Sequence, residues 1–151
     1  MASLSHKDDL LETPPDVLKQ IEDYTGLKIG LDVCASDKNK LCNNYFTKKD
    51  NALNKSWWPH SLTHFAFCNP PRSNNKKFVL KALDEWKKDN FHIIILMCWN
   101  DFGNNYGQKV FNEFGKIKIH NLGKIKFFKN GKITKHVSRL SYCCVWLKAQ
   151  Y

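Results

Sequence analysis

Two rhythms of apolar residues alternate along this chain. Mainly apolar runs stand at Ile29–Ala35, Phe65–Cys68, Phe91–Met97 and Ser141–Leu147. Runs of that length, bounded by polar residues, predict buried strands. Between them, apolar residues recur every three or four positions. Val17, Leu18, Ile21 and Tyr24 share one helical face. Thr13 is the expected N-cap of that helix, Pro14 its first position, Asp16 the acid favoured at its positive end, and Gly26 its close. Phe78, Val79, Ala82, Leu83 and Trp86 mark a second helix over about residues 76–88, capped by Ser73-Asn74. A third is predicted near 106–114. Ser36-Asp37 reads as the start of a short helix over 38–43, and residues 44–47 as a brief strand.

Phe91–Met97 is rich in β-branched residues and suits a central parallel strand. The last third differs, because Ile117-Lys118-Ile119 and Lys124-Ile125-Lys126-Phe127 alternate and Asn130-Gly131 signals a tight turn. The prediction is an α/β doubly wound sheet, mainly parallel, with antiparallel C-terminal strands. With 151 residues, 42% hydrophobic and 13% aromatic, the expectation is one folded domain over 11–151 behind a short tail of 1–10.

In open α/β sheets ligands bind at the carboxyl edge of the strands, so the strand ends carry the chemistry. Phe65–Cys68 stops at Asn69-Pro70-Pro71-Arg72. Proline donates nothing to a ladder and holds the preceding residue extended. The loop is therefore stiff. It offers hydrogen-bond acceptors, the Asn69 side chain and nearby carbonyls, but no strong nucleophile. That suits a substrate amine conjugated to a ring, which becomes nucleophilic when its N–H bonds are accepted. Asp32 ends the first strand and Asp50 follows the second, where acids in nucleotide-binding folds take ribose hydroxyls or an adenine amine. No glycine-rich loop follows Asp32, which argues against a dinucleotide or ATP.

Charge adds a partner. The net charge is +10, with 14 basic and 12 acidic residues in 1–100 against 10 and 2 in 101–151. A one-sided basic region is the footprint of a polyanion. The cysteines at 34, 42, 68, 98, 143 and 144 lack zinc-ligand spacing, so no metal is expected, and reduced thiols inside a cell are the reading. Neither a signal peptide nor a membrane span is expected, since Phe91–Trp99 is far too short to cross a bilayer.

The ordered set is more specific than any piece. Thr13-Pro14-Pro15; Asp32-Val33-Cys34-Ala35-Ser36 with Asn39 and Cys42; Tyr45-Phe46-Thr47 with Asp50 and Leu53; Trp57; Asn69-Pro70-Pro71; Gly123–Phe127; and Cys143–Trp146 follow one another in the order of the phage-type DNA adenine methyltransferases. The chain resembles that family over about residues 11–148. The resemblance implies a Rossmann-like class I methyltransferase fold that uses S-adenosyl-L-methionine to methylate the N6 amine of a flipped adenine in DNA. It implies that Thr13, Pro14, Asp32, Cys34, Ala35, Asp50 and Asn69 hold the cofactor. Asn69, Pro70, Pro71 and Arg72 would form the catalytic loop. Arg72, Lys76, Trp99, Lys124, Lys126 and Arg139 would meet nucleic acid.

Arg72 departs from the family, which has an aromatic there that stacks on the base. A guanidinium can stack on a base or grip a phosphate, and Trp99 or Phe102 can supply a ring. Other acceptors, in RNA or protein, and a non-catalytic nucleic-acid binder remain as alternative readings. So short a chain is expected to select its site through its own loops, a homodimer or an accessory protein. The expected compartment is intracellular: cytoplasm, a phage's host cell, or the nucleus of a eukaryote.

Overall fold

The computed structural model describes residues 12–129, 131–133 and 140–151. The expected tail, Asn130 and Arg139 lie outside the described residues.

Helix α1 spans Pro15–Thr25, and strand β1, Lys28–Asp32, follows it. Strand β2 is His64–Cys68, α2 is Asn75–Asp89, β3 is Ile93–Cys98 and α3 is Asn105–Phe111. Strands β4, Ile117–Lys124, and β7, Ser141–Leu147, complete one sheet, while β5, Phe128–Lys129, and β6, Lys132–Ile133, make a separate two-stranded ribbon. The five-stranded order is β1-β2-β3-β7-β4. The β1–β2 and β2–β3 pairs are parallel, and the β3–β7 and β7–β4 pairs antiparallel. The expected antiparallel C-terminal strands are present, but with two parallel and two antiparallel pairings the sheet is mixed rather than mainly parallel.

Strand side chains alternate between faces, and here both faces are buried. Phe65, Phe67, Ile94, Leu96, Cys144 and Trp146 pack with Val17 and Ile21 of α1. Ala66, Cys68, Ile93, Ile95, Val145 and Leu147 pack on the other side with Phe78, Val79, Ala82, Leu83 and Trp86 of α2 and Val110 of α3. Helices therefore cover both faces, as in a doubly wound sheet.

Four local expectations change. Pro14, not Thr13, is the N-cap of α1, and Thr13 points its hydroxyl elsewhere. Gly26 closes the helix as expected, with φ 72° and its N–H on the Glu22 carbonyl. The 38–43 helix does not form. Ser36 and Asn39 bond each other's backbone N–H groups through their side chains, and the Leu41 N–H goes to Asp32, so too few donors remain for a helical ladder. The 44–47 strand shrinks to a single parallel bridge, Asp32–Tyr45. The last strand-like run, 124–127, leaves the sheet after Lys124, although Ile125 and Phe127 stay buried.

Parallel pairing brings the carboxyl ends of β1, β2 and β3 to one edge, and β7 delivers its first residues there too, with Tyr142 opposite Cys98. The turn after β3, Trp99–Gly103, is wedged by α3. Any β-carbon at Gly107 would collide with the Asp101 carbonyl oxygen. Gly107→Ala is therefore expected to destabilise the protein by about 1–3 kcal/mol through overpacking. Urea unfolding checks this, and an unchanged midpoint contradicts it.

Candidate active site

At that edge lies a cleft of about 1100 Å³. Asn69, Pro70, Pro71 and Arg72 line it, with Thr13, Asp32, Cys34 and Ala35. Asn69 is part-buried and donates its Nδ2 to Thr13 Oγ1 at 2.9 Å. That bond fixes the amide plane and turns its oxygen to the side away from Thr13. The same bond explains why Thr13 is not the cap: its hydroxyl reaches across to another strand end. Behind it, Pro14 is buried. The Asn74 N–H bonds to the Pro71 carbonyl at 2.8 Å, which folds the loop directly into the 3-10 turn Arg72–Asn74 and then α2. Two prolines and this turn leave the loop little freedom.

Asp32 forms part of the cleft wall, with only 3% of its surface exposed. The Leu41 N–H reaches one carboxylate oxygen at 3.1 Å, and the Cys34 N–H the other at 3.4 Å. Burial pushes its pKa up from 3.8 to about 6, against the opposing pull of those two N–H groups. A buried, under-compensated carboxylate favours a cation beside it. Next to it, the Ala35 N–H bonds Phe46 O and the Phe46 N–H bonds Asp32 O, both at 2.9 Å, so Phe46 enters the cleft wall with Leu53 and Phe78. Asp50 is exposed and stands outside the lining. The Thr47 N–H and hydroxyl, at 2.8 and 3.1 Å, bond its carboxylate and hold its pKa below the usual range. The Cys34 and Cys68 sulfurs are 3.9 Å apart as free thiols, and burial raises the Cys34 pKa well above the ordinary thiol value.

Arg72 turns inward, with its side chain 15% exposed. Its Nη1 is 3.8 Å from Asp101 Oδ2, its guanidinium lies 5.9 Å from the centre of the Tyr142 ring, and it also reaches the Cys98 thiol. Asp101 is buried and accepts the Cys98 N–H at 3.0 Å and the Tyr106 hydroxyl at 3.1 Å. Tyr142 stands edge-on to Phe127 at 5.1 Å, and both line the cleft.

The residues expected to meet nucleic acid scatter around this centre. Lys76, in the first turn of α2, and Lys124 and Lys126 are exposed and outside the cleft lining. Trp99 is 40% exposed and hydrogen-bonds Asn121 through Nε1 at 2.8 Å, with Phe102 beside it at 5.8 Å. The lysines that do line the cleft are Lys38, Lys48, Lys49 and Lys129.

The family model for DNA N-6-adenine-methyltransferase (Dam) matches residues 2–147. The chain belongs to that family. Two relatives called DNA N-6-adenine-methyltransferase are similar to it. The one from Escherichia phage T1 is 35% identical over 82 residues, which is 54% of this chain and 33% of the relative. The one from Haemophilus phage HP1 (strain HP1c1) is 33% identical over 89 residues, 59% of this chain and 49% of the relative. The matches thus span a third to a half of the relatives' length.

Within this Dam-family chain, sequence reasoning missed Asp101, Tyr106 and Tyr142, and took Phe127 only as the end of the Gly123–Phe127 segment. A polar residue just past an apolar strand was the available sign for Asp101. Nothing local marks Tyr142, which reaches the edge only because β7 runs antiparallel to β3. The geometry of Asp32 gives a test. A folded-state pKa above the unfolded one means that stability from this group is complete below about 4 and is lost as pH rises through about 6. The Asp32 carboxyl carbon is expected to titrate near 6 by NMR in the free protein. A midpoint at 4 or below means that the Leu41 and Cys34 N–H bonds outweigh burial and contradicts this balance.

Proposed function

We propose that this Dam-family chain methylates the N6 amine of adenine in DNA, with S-adenosyl-L-methionine as donor, on a Rossmann-like class I methyltransferase fold. The observation that carries this reading is the Asn69 amide, locked by Thr13 in the same cleft as the buried Asp32 carboxylate. Residues 11–151 act as the single methyltransferase domain, inside a cell, behind the 1–10 tail.

The cleft fits such a cofactor. Its donor set joins a buried carboxylate, favourable to a cation, with the apolar wall of Phe46, Leu53 and Phe78. Thr13, Pro14, Asp32, Cys34, Ala35 and Asp50 would hold it, Thr13 and Pro14 by fixing Asn69 and the cleft floor. Asp50, outside the lining, has its carboxylate ionised and presented by Thr47. S-adenosyl-L-methionine supplies the methyl group as a sulfonium.

The chain's own residues do the rest. Asn69 Oδ1 and the Pro70 carbonyl accept the two N–H bonds of the adenine amine. This draws the nitrogen out of conjugation with the ring and frees its lone pair to attack the methyl carbon, whose bond to sulfur would break to leave a neutral thioether while one amine proton passes to water. Pro71 keeps the two acceptors from collapsing together. The base must leave the duplex stack to reach them, at a cost of about a few kcal/mol. Phosphate contacts from Lys38, Lys48, Lys49 and Lys129 around the cleft, and from Lys76, Lys124 and Lys126 further out, offset part of that cost. Arg139 is assigned the same role from sequence alone. Sequence selection falls to these loops, to a homodimer or to an accessory protein.

Transfer of radiolabelled methyl groups to duplex DNA, single-stranded DNA, RNA and protein tests the reading. DNA adenine is the expected acceptor, and label in RNA or protein alone overturns it. With Thr13, Pro14, Asp32, Cys34, Ala35 and Asp50 still holding the cofactor beside it, Asn69→Ala is expected to keep most of the calorimetric cofactor affinity. It should lower methyl transfer by more than about a hundredfold, the scale on which preorganised polar contacts act. Unchanged transfer removes Asn69 from the chemistry.

A further inference from the structure

The resemblance noted from the sequence implies an aromatic ring where this chain has Arg72, so under the proposed function the base needs another flat surface. The geometry points to Arg72 itself: its guanidinium, backed by the Tyr142 ring and held by Asp101, is the plane on which the acceptor adenine lies, and Asp101 and Tyr142 are its positioning residues. This rests on the proposed DNA methylation and names the surface that receives the base.

Three observations carry it. First, Arg72 does not behave as a phosphate grip. A phosphate-binding arginine presents its fork outward to water, whereas this side chain is 15% exposed and its charge faces a buried carboxylate. Second, the guanidinium is constrained from two sides. Asp101 Oδ2 lies 3.8 Å from Nη1, and the Tyr142 ring lies beneath at 5.9 Å. Asp101 cannot follow a drifting arginine, because the Cys98 N–H and the Tyr106 hydroxyl hold it and Gly107 of α3 packs on its backbone. Third, Arg72 and Tyr142 line the same cleft as Asn69, alongside Leu96 and Phe127. A planar, delocalised cation stacks on an aromatic face. Here Tyr142 lies on one side at 5.9 Å, and the side toward the cleft is the one assigned to the unpaired purine.

Unmethylated genomic DNA is the probe, because it contains adenine in every sequence context. Arg72→Lys keeps the charge and loses the plane. It is expected to raise KM for DNA roughly ten- to a hundredfold, as loss of a base-stacking partner does, and to leave calorimetric affinity for S-adenosylmethionine within about twofold. Asp101→Asn is expected to shift KM in the same direction by a smaller factor. The double variant should be no worse than Arg72→Lys alone, because Asp101 acts through Arg72. The salt dependence of DNA binding should keep its slope in Arg72→Gln.

Additive effects in the double variant would make Asp101 merely structural and overturn the inference. A slope reduced by about 0.9 would place Arg72 on a phosphate and overturn it too. Thermal unfolding is followed throughout, and if Asp101→Asn does not fold, Tyr142→Leu takes its place in the cycle with the same expectation. Wild-type protein that methylates no DNA sinks the functional reading and this inference together. Active wild type with unaltered variants sinks this inference alone.

Discussion

Parallel pairing of β1, β2 and β3 is the constraint on which everything else depends. It forces three strand ends, Asp32, Cys68 and Cys98, to one edge of the sheet. Strand ends thirty or more residues apart in sequence then meet at one cleft. The prolines after Cys68 turn that coincidence into a rigid arrangement, because they can neither extend the ladder nor relax into a helix at once. The antiparallel return of β7 adds a fourth contributor from the far end of the chain.

Buried carboxylates organise the connections around this edge. Asp32 gathers the Leu41 and Cys34 N–H groups and shapes the loop that follows β1. Asp101 gathers the Cys98 N–H, the Tyr106 hydroxyl and Arg72 after β3. Glu85 of α2 accepts the Trp57 N–H at 2.8 Å and faces Lys81 at 3.7 Å, which fixes the long connection into β2. Each would be costly in isolation, and each is matched by donors that would otherwise be orphaned. The difference among them is functional. Asp101 has a cationic partner within the protein. Among the described residues Asp32 is met by the neutral Leu41 and Cys34 N–H groups, and burial pushes its pKa up against their pull.

The sheet and its two main helices were legible in the sequence because their apolar rhythms are long and uninterrupted. Phe78, Val79, Ala82, Leu83 and Trp86 fall on one face, and all are buried. The loops were harder. Ser36 and Asn39 satisfy each other across three residues and stop a helix that their own composition suggests. Thr13 has every local attribute of a cap, yet its partner is 56 residues away. The stiff turn at Asn69–Arg72 was readable because Asn-Pro-Pro is a local statement about backbone freedom. The surroundings of Arg72 were not, because Asp101 and Tyr142 become its neighbours only through tertiary pairing.

The central claim is that the edge between Asp32 and Asn69 holds a nucleoside-bearing sulfonium. Titration of S-adenosylmethionine into isotopically labelled protein, followed through backbone amide shifts, tests it most directly. The account predicts that the largest shifts cluster at Val33–Ser36, Phe46–Leu53 and Asn69. Saturating cofactor that leaves those amides unmoved, or shifts centred on another face of the sheet, would contradict it.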